Sequence, residues 1–277
     1  MSSYAFELVM LAAVLHALWN AIVKAGQDTF LTTVLVTTCA ALWGALALPF
    51  LPQPRSESWP FIAASALLQV LYYALVARIY RIADMSQTYP LMRGVAPLLV
   101  ALIGTLVLGE HLAPGAWLGI GVICLGILLT LAGTRAQRRG GLGLALLTAL
   151  LIATYTLVDG AGVRLSHSPI AYTLWIFLLG GVAIAGWAGF TRGRRLLRYA
   201  RGNWHLGAIG GFGTLAAYAL ALQAMTLAPV SMVAALRESS ILFATLIAWW
   251  VLKEPVGQAR WVAVGVILAG VVVLRLA

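Results

Sequence analysis

The sequence predicts an all-α integral membrane protein in which ten transmembrane helices form two inverted five-helix repeats. Hydrophobic residues make up 62% of the chain and charged residues 9%, whereas a soluble domain has about 45–50% and about 25%. The apolar residues occur in runs close to the ~20 residues that a helix needs to cross a bilayer. A segment from the middle of the chain also recurs near its end.

The connections between apolar runs are short and carry charged residues, Pro or Gly. No hydrophilic stretch is long enough to fold as a separate soluble domain. The first run is long, polar at its centre and without a basic leader, so we expect a retained helix and not a cleaved signal peptide. The ten predicted spans are 4–25, 29–51, 59–80, 85–108, 114–133, 141–160, 169–190, 204–226, 230–252 and 258–275.

The repeat is visible without gaps. The segment VLGEHLAPGAWLGIGVICLGILL, 107–129, aligns with VLKEPVGQARWVAVGVILAGVVV, 251–273, at an offset of 144 residues. Two unrelated apolar helices would match in Leu and Val but not in charged residues and tryptophan. We therefore expect two domains of five spans each, 1–134 and 135–277. The aligned pairs include Glu110 with Glu254, Trp117 with Trp261 and, at the same offset, Arg93 with Arg237.

An odd number of spans in each half turns the second half upside down in the bilayer. Inverted repeats of this kind are typical of secondary transporters, whose site lies at the midplane between the halves. Such a protein has two similar conformations, one open to each side. The alternative is a duplication that serves stability alone, as in a scaffold or a membrane-embedded enzyme.

The LGE and LKE turns, the ten spans and the HALWN…K first span resemble the EamA-type repeats of the drug/metabolite transporter superfamily. The resemblance covers essentially the whole chain. It implies a central cavity lined by spans 1, 3, 4, 6, 8 and 9, with spans 5 and 10 mainly as scaffold, and export as the commoner direction. Members carry amino acids, nucleotides, sugars, drugs and other metabolites, so the fold does not identify the substrate.

The first span carries His16, Asn20 and Lys24 at four-residue steps, and therefore on one helix face. Histidine changes its charge near neutral pH, and an ionisable group at the bilayer centre usually faces a cavity or a partner. His16 is a candidate proton-coupling residue or a neutral side chain bonded to a neighbouring helix. In the small multidrug resistance relatives a carboxylate eight residues before a lysine carries the proton, and His16 stands at that distance from Lys24.

The other two polar residues of this face have simpler interpretations. Asn20 can donate and accept together, which suits either substrate binding or bonding between helices. Lys24 lies at the helix end, where its side chain is expected to extend to the interface. The three polar side chains would then lie along one helix face, from a cavity at His16 to the rim of that cavity at Lys24.

Arg93 and Arg237 lie about eight residues inside apolar spans, and a guanidinium group does not deprotonate in proteins. Glu238 follows Arg237, but adjacent helical residues do not face each other. We therefore expect Glu238 to pair with Arg93 across the repeats, which leaves Arg237 to bind a substrate carboxylate or phosphate. Ion pairing within the bundle is the alternative. Glu238 is a second candidate for proton coupling.

Three tyrosines, Tyr72, Tyr89 and Tyr218, are candidate walls of the substrate site, although aromatic residues also serve as packing or interface anchors. Asp159 comes at the end of the predicted span 141–160 and is assigned to the membrane interface. Glu110 is assigned an architectural role, as is Glu254, because each precedes a helix whose N-terminus a negative charge favours.

Small residues spaced by four predict close packing of spans 5 and 10. The two pairs are Gly115 with Gly119 and Gly265 with Ala269.

The basic residues predict the orientation. Thirteen lie on the side of the connections that follow odd-numbered spans and three on the other side, so the first side is cytoplasmic and both termini are outside. The thirteen are Lys24, Arg78, Arg81, Arg135, Arg138, Arg139, Arg192, Arg194, Arg195, Arg198, Arg201, Lys253 and Arg260; the three are Arg55, Arg164 and Arg275.

The motifs of other function classes are absent from the sequence. It has no GxxxxGK[ST] loop for ATP, no HExxH, no GxSxG and no acidic metal cluster, and Cys39 and Cys124 belong to no metal or redox motif. We expect no enzyme activity, metal, cofactor or nucleic-acid partner, and assign the basic charge to the membrane surface.

The prediction from sequence is a secondary active exporter of a small metabolite, such as an amino acid or organic acid. It works in a bacterial inner membrane as a monomer or homodimer, driven by a proton or substrate gradient. Alternatives are a multidrug or cationic-compound exporter, a lipid flippase, an integral membrane enzyme and a sensor subunit.

Overall fold

The computed structural model describes residues 1–83, 85–131, 141–251 and 253–277, with the backbone alone at 80, 81 and 85–87. All regular elements in these ranges are helices. The predicted repeat boundary at 134/135, the predicted span ends at 133 and 252, and Arg135, Arg138 and Arg139 lie outside the described residues. The helices are α1 (Ser3–Ala25), α2 (Thr29–Ala47), α3 (Trp59–Ile82), α4 (Met85–Val107), α5 (Pro114–Leu129), α6 (Leu142–Ser166), α7 (Pro169–Met225), α8 (Val230–Arg237), α9 (Ser240–Trp250) and α10 (Gln258–Leu276), with short 3-10 helices at Leu48–Phe50 and Ser56–Ser58.

Several helix starts follow from the local sequence. The side chain of Ser2 accepts a hydrogen bond from the backbone of α1, and that of Asp28 does the same for α2. Helices α3, α5 and α7 each carry Pro in the first turn, where its missing N–H costs no hydrogen bond. These polar and proline-bearing positions set where the crossings begin.

The predicted spans 169–190 and 204–226 lie in α7, which consists of two helical limbs that meet at a kink at Asn203 (φ −127°, ψ 16°). At ~1.5 Å per residue each limb is long enough to cross a bilayer by itself. The arginines between 192 and 201 therefore lie on a helix and not, as predicted, in a loop.

The two limbs of α7 run along α2 in opposite directions. In the first limb Leu174 lies against Gly44 and Arg195 pairs with Asp28, so the numbering runs antiparallel to α2. In the second limb a Cβ at Gly207 would meet the Leu35 side chain and one at Gly211 the Ala40 backbone nitrogen, so this limb runs parallel to α2. The structure therefore has two crossings in this region, as the sequence predicts.

The predicted span 230–252 is interrupted in the middle. Helix α8 ends at Arg237, and α9 begins at Ser240. The backbone N–H groups of Glu238 and Ser239 donate to carbonyls three residues earlier, both at 3.0 Å. A 3-10 turn inside a long helix is typical of a hinge. The interruption places Arg237 and Glu238 at a break inside the membrane.

Counting the α7 limbs separately, and α8 with α9 as one crossing, the described helices form ten crossings in all. By length and composition eight helical segments could cross a membrane, and the apolar α5 is shorter at 16 residues. Large apolar side chains such as Leu106, Phe190 and Trp250 are exposed on the outer surface. Such a surface is suited to lipid, so this is a multi-pass membrane protein.

Close packing of α5 and α10 depends on glycine, as predicted, but partly on different residues. A Cβ at Gly119 would lie 2.9 Å from a backbone nitrogen of α10, and a Cβ at Gly270 would lie 2.8 Å from one of α5. The prediction for Gly265 and Ala269 is wrong: both are exposed, and no atom lies within 4 Å of a Cβ at Gly265. The packed face of α10 is the one that carries Gly270.

Candidate substrate site

Polar side chains from α1, α3, α4, α6, the second limb of α7 and α8 meet at the centre of the bundle. A small pocket opens there, with room for little more than a water molecule in this conformation. Its polar lining comprises Arg93, Tyr155, Thr156, Arg237 and Glu238, and its apolar lining Ala96, Pro97, Val100, Ile152 and Ala234.

Arg93 on α4 contacts Glu238 at the helix break, with 2.9 Å between Nε and Oε2. The two side chains are 11% and 8% exposed. The structure therefore contains the cross-repeat ion pair that the sequence predicts. The contact lacks hydrogen-bond alignment, and a buried ion pair needs good hydrogen bonds to offset its desolvation. The pair consequently keeps unused hydrogen-bonding capacity at the pocket.

Arg237 is in a different situation from its repeat-related partner. Its guanidinium carbon lies 5.1 Å from the centre of the Tyr218 ring. Within the described part of the chain Arg237 forms no ion pair with a carboxylate. It is half-buried beside the pocket and is in cation–π contact with the Tyr218 ring.

Asp159 is not at the membrane interface, and that prediction is wrong. Its side chain is fully buried in α6, where Oδ2 accepts a hydrogen bond from the Tyr218 hydroxyl at 2.5 Å and Oδ1 one from Tyr172 at 3.2 Å. The predicted span ended at residue 160, whereas α6 continues to Ser166. The small residues GAGV that follow Asp159 could have extended the span by one turn.

His16 is half-buried on α1 and packs edge-on against Trp19, with ring centres 5.2 Å apart. Arg93 and Arg237 both lie within electrostatic reach of its imidazole. Asn20 donates from Nδ2 to the backbone carbonyl of His16 at 2.7 Å. The amide of Asn20 is thus engaged in its own helix, while His16 faces the charged centre.

Tyr72 and Tyr89 are on the Arg93 side of the site. The Tyr72 ring is 6.0 Å from that of Tyr155, and all three tyrosines lie within electrostatic reach of Arg93. Tyr218 lies under Arg237. The structure therefore brings the predicted tyrosines together with the two arginines.

Glu110 contacts a different helix from the one expected. The sequence assigned it to the N-terminus of α5, but its carboxylate accepts from the backbone N–H groups of Val230 at 2.5 Å and Ser231 at 3.2 Å, and from the Ser231 hydroxyl at 2.5 Å. It caps α8 of the other repeat. Arg164 lies 3.8 Å from this carboxylate and donates to the carbonyls of Met225 and Ala228, so the link from α7 to α8 is held from both ends.

The repeat-related Glu254 has no such role in the described residues. It pairs with Lys24, with 2.5 Å between Nζ and Oε2, and the two side chains are 56% and 39% exposed. Lys24 therefore has a specific partner in addition to its predicted position at the helix end. The two symmetry-related glutamates are buried to very different degrees.

Ten membrane crossings surround a central charged pocket to which each repeat contributes one arginine, an arrangement that suits a membrane transporter. The chain belongs to the EamA-like transporter family, whose family model matches residues 4–132 and 139–276. A protein of known crystal structure is similar over 100% of this chain and 98% of its own length, at 20% sequence identity and a TM-score of 0.77. That likeness concerns the fold alone. No curated protein matches the chain significantly in sequence.

Proposed function

We propose that the protein is a secondary active exporter of a small metabolite that carries a carboxylate, such as an amino acid or organic acid. The observation that supports this is Arg237, a half-buried guanidinium beside the pocket with no carboxylate partner among the described residues. A guanidinium fork matches the two oxygens of a carboxylate. A substrate carboxylate would supply the missing counter-charge.

The transport step is alternating access by the two repeats. Arg93 and Arg237 come from equivalent positions of the two halves, and the 3-10 turn at Glu238 and Ser239 is a place where α8 and α9 can change their relative angle. Glu238 is bound to Arg93 at this turn. Motion of the halves would therefore alter the ion pair and the substrate site together.

Proton coupling through His16 and Glu238 is part of the proposal. A proton on His16 would add positive charge to a site that already holds two guanidinium groups within reach. A proton on Glu238 would remove the counter-charge of Arg93. Either event changes the charge that a substrate anion meets, which is the physical basis for linking proton and substrate binding.

We place the connection from α1 to α2 and the bend of α7 in the cytoplasm, with both termini outside. In support, Arg195 pairs with Asp28, so the arginines around the bend share one face with the α1–α2 connection, and basic residues favour the cytoplasmic side. A reporter enzyme that works only outside the cytoplasm should be active when it is fused to the C-terminus. An inactive fusion would contradict this orientation.

The first experiment is a thermal-shift screen of purified wild type, Arg237→Gln and Arg194→Gln against amino acids, organic acids, phosphate esters and cationic drugs. A ligand that binds the native state raises its melting temperature. We expect one carboxylate-bearing class to stabilise wild type and Arg194→Gln but not Arg237→Gln. Arg194 is exposed on α7, so its replacement controls for the loss of one positive charge. Equal stabilisation of all three proteins would contradict a site at Arg237.

The hits are then tested by counterflow in proteoliposomes. Uptake of labelled substrate that depends on unlabelled substrate inside distinguishes a transporter from a sensor subunit. Arg237→Lys keeps the charge but not the planar fork, so we expect it to transport with a raised KM. Flux that is indifferent to both Arg237 variants would exclude the proposed role.

A cationic-compound exporter is the second candidate. The observation that favours it is the aromatic wall of Tyr72, Tyr89 and Tyr155 beside Glu238, because aromatic faces and a carboxylate bind organic cations. The same screen separates the two candidates. Stabilisation by cationic drugs alone, abolished by Glu238→Gln and retained in Arg237→Gln, would select this alternative.

A further inference from the structure

The two repeat-related arginines of the site have counter-charges at different distances. A buried guanidinium needs compensation because its desolvation costs several kcal/mol. Arg93 obtains it by direct contact with Glu238. Arg237 has the face of Tyr218 beneath it instead. Two carboxylates act on Arg237 electrostatically, Glu238 and Asp159, and Asp159 is the one that is hydrogen-bonded to the tyrosine in contact with Arg237.

Tyr218 connects the two charges through different parts of its side chain. Its hydroxyl donates to Asp159 at 2.5 Å, while its ring face lies 5.1 Å from the guanidinium carbon of Arg237. A phenol that donates to a carboxylate gains electron density in its ring, since hydrogen-bonded groups polarise one another. A more negative ring face attracts a cation more strongly. The negative charge of Asp159 thus acts on Arg237 through the tyrosine.

We propose that Asp159 is the remote counter-ion of Arg237 and acts through Tyr218, so that the charge of Arg237 is compensated while its N–H groups stay available to substrate. Asp159 and Tyr218 are then positioning residues of the transport site. The benefit for substrate binding rests on the proposed function. The arrangement of Asp159, Tyr218 and Arg237 does not, and can be measured without a ligand.

The geometry explains why a remote counter-ion suits a binding residue. A carboxylate beside Arg237 would bind the edge of the guanidinium, where all its N–H donors lie, and would compete with a substrate carboxylate. A contact with a ring face leaves these N–H donors without a carboxylate partner. One arginine of the pair is therefore held structurally by Glu238, and the other is kept ready for an anion.

Packing holds the platform formed by Asp159 and Tyr218 in place. Tyr172 donates to the second oxygen of Asp159 at 3.2 Å and is itself fully buried. A Cβ at Gly162 would lie within 3.0 Å of the Tyr172 hydroxyl, so this tyrosine fits only against glycine. Phe177 packs edge-on against the Tyr218 ring, with centres 5.8 Å apart. The ring in contact with Arg237 is consequently held by Phe177 and by its own hydroxyl.

Tyr172 supplies a matched control. It is a buried tyrosine that donates to the same carboxylate, but the cation–π contact of Arg237 is with Tyr218. Tyr172→Phe removes one hydrogen bond from Asp159 and keeps the hydrogen bond between Tyr218 and Asp159. Tyr218→Phe keeps the ring but removes its link to Asp159. Asp159→Asn keeps the size of the side chain and removes its charge.

The ligand-free test is the NMR shift of the Arg237 guanidinium protons in 15N-arginine-labelled protein, assigned with Arg237→Lys. A ring face shifts protons above it upfield. We expect the shift in wild type and in Tyr172→Phe. In Tyr218→Phe and in Asp159→Asn we expect less than half of it, because a ring without the charge of Asp159 behind it attracts the guanidinium less and Arg237 moves away from the ring. An unchanged shift in Tyr218→Phe overturns the proposal, and so does an equal loss in Tyr172→Phe. Tyr218→Phe also keeps the test valid if Asp159→Asn does not fold.

The second readout is the affinity for acetate, the smallest carboxylate probe, obtained from the dependence of melting temperature on its concentration. A cation–π contact between the exposed and the fully desolvated case corresponds to roughly a tenfold change in binding, so we expect about that loss in Tyr218→Phe and Asp159→Asn, and less than twofold in Tyr172→Phe. The double variant of Tyr218 and Asp159 should equal the single variants, because both act in one chain. Additive losses would overturn the proposal. If wild type does not bind acetate but the NMR result is as expected, the proposed carboxylate substrate is contradicted, whereas the role of Asp159 as counter-ion of Arg237 stands.

Discussion

Replacing Glu110 by Gln tests how the two repeats are held together. The carboxylate accepts three hydrogen bonds, two of them from the first backbone N–H groups of α8, which have no acceptor within their own helix. The side chain is buried. A buried donor that loses its partner costs about 1–3 kcal/mol. Glutamine keeps one acceptor oxygen, so with one or two bonds lost we expect a loss of about 2–4 kcal/mol in the free energy of unfolding.

The matched control is Glu254→Gln, the same substitution at the equivalent position of the other repeat. Its pair with Lys24 is exposed, and exposed ion pairs contribute about 0–1 kcal/mol. Both variants are unfolded by SDS in mixed micelles beside wild type, with melting temperature as a second measure. Equal destabilisation of the two variants, or an unaffected Glu110→Gln, would refute the assignment of Glu110 as the cap of α8.

Three further substitutions probe the site and its scaffold. Glu238→Gln leaves Arg93 buried without its partner, so we expect a loss of about 3–5 kcal/mol in unfolding free energy; a loss below 1 kcal/mol in the same SDS titration would show that the pair is dispensable. Gly270→Ala places a Cβ 2.8 Å from an α5 backbone nitrogen and should lower the melting temperature clearly, whereas Gly265→Ala has no neighbour within 4 Å and should change stability by less than about 0.5 kcal/mol; similar effects of the two would contradict the packing of α10. His16→Gln should retain substrate exchange in proteoliposomes but lose its acceleration by an imposed pH gradient, and acceleration that persists would remove His16 from the coupling step.

The membrane class, the number of crossings and the internal symmetry could be read from the sequence. Composition indicates whether a protein surface faces water or lipid, and a helix that crosses lipid needs a long apolar run. Charged residues at a constant offset are visible without a structure, as Arg93 and Arg237 show. The pairing of Arg93 with Glu238 was also predictable, because helix geometry turns Glu238 away from its neighbour Arg237.

The partners of the other charged residues were decided by the tertiary structure. Glu110 caps a helix that begins 120 residues later in the chain, and Asp159 binds two tyrosines of α7. The break after Arg237 leaves little trace in an apolar run, and the helical structure of the basic stretch 192–201 leaves little trace in its composition. In a membrane the lipid-facing and protein-facing sides of a helix are both apolar, because lipid is as apolar as the side chains it contacts. Hydrophobicity therefore determines that the helices span the bilayer, and only their packing determines which faces and which charges meet.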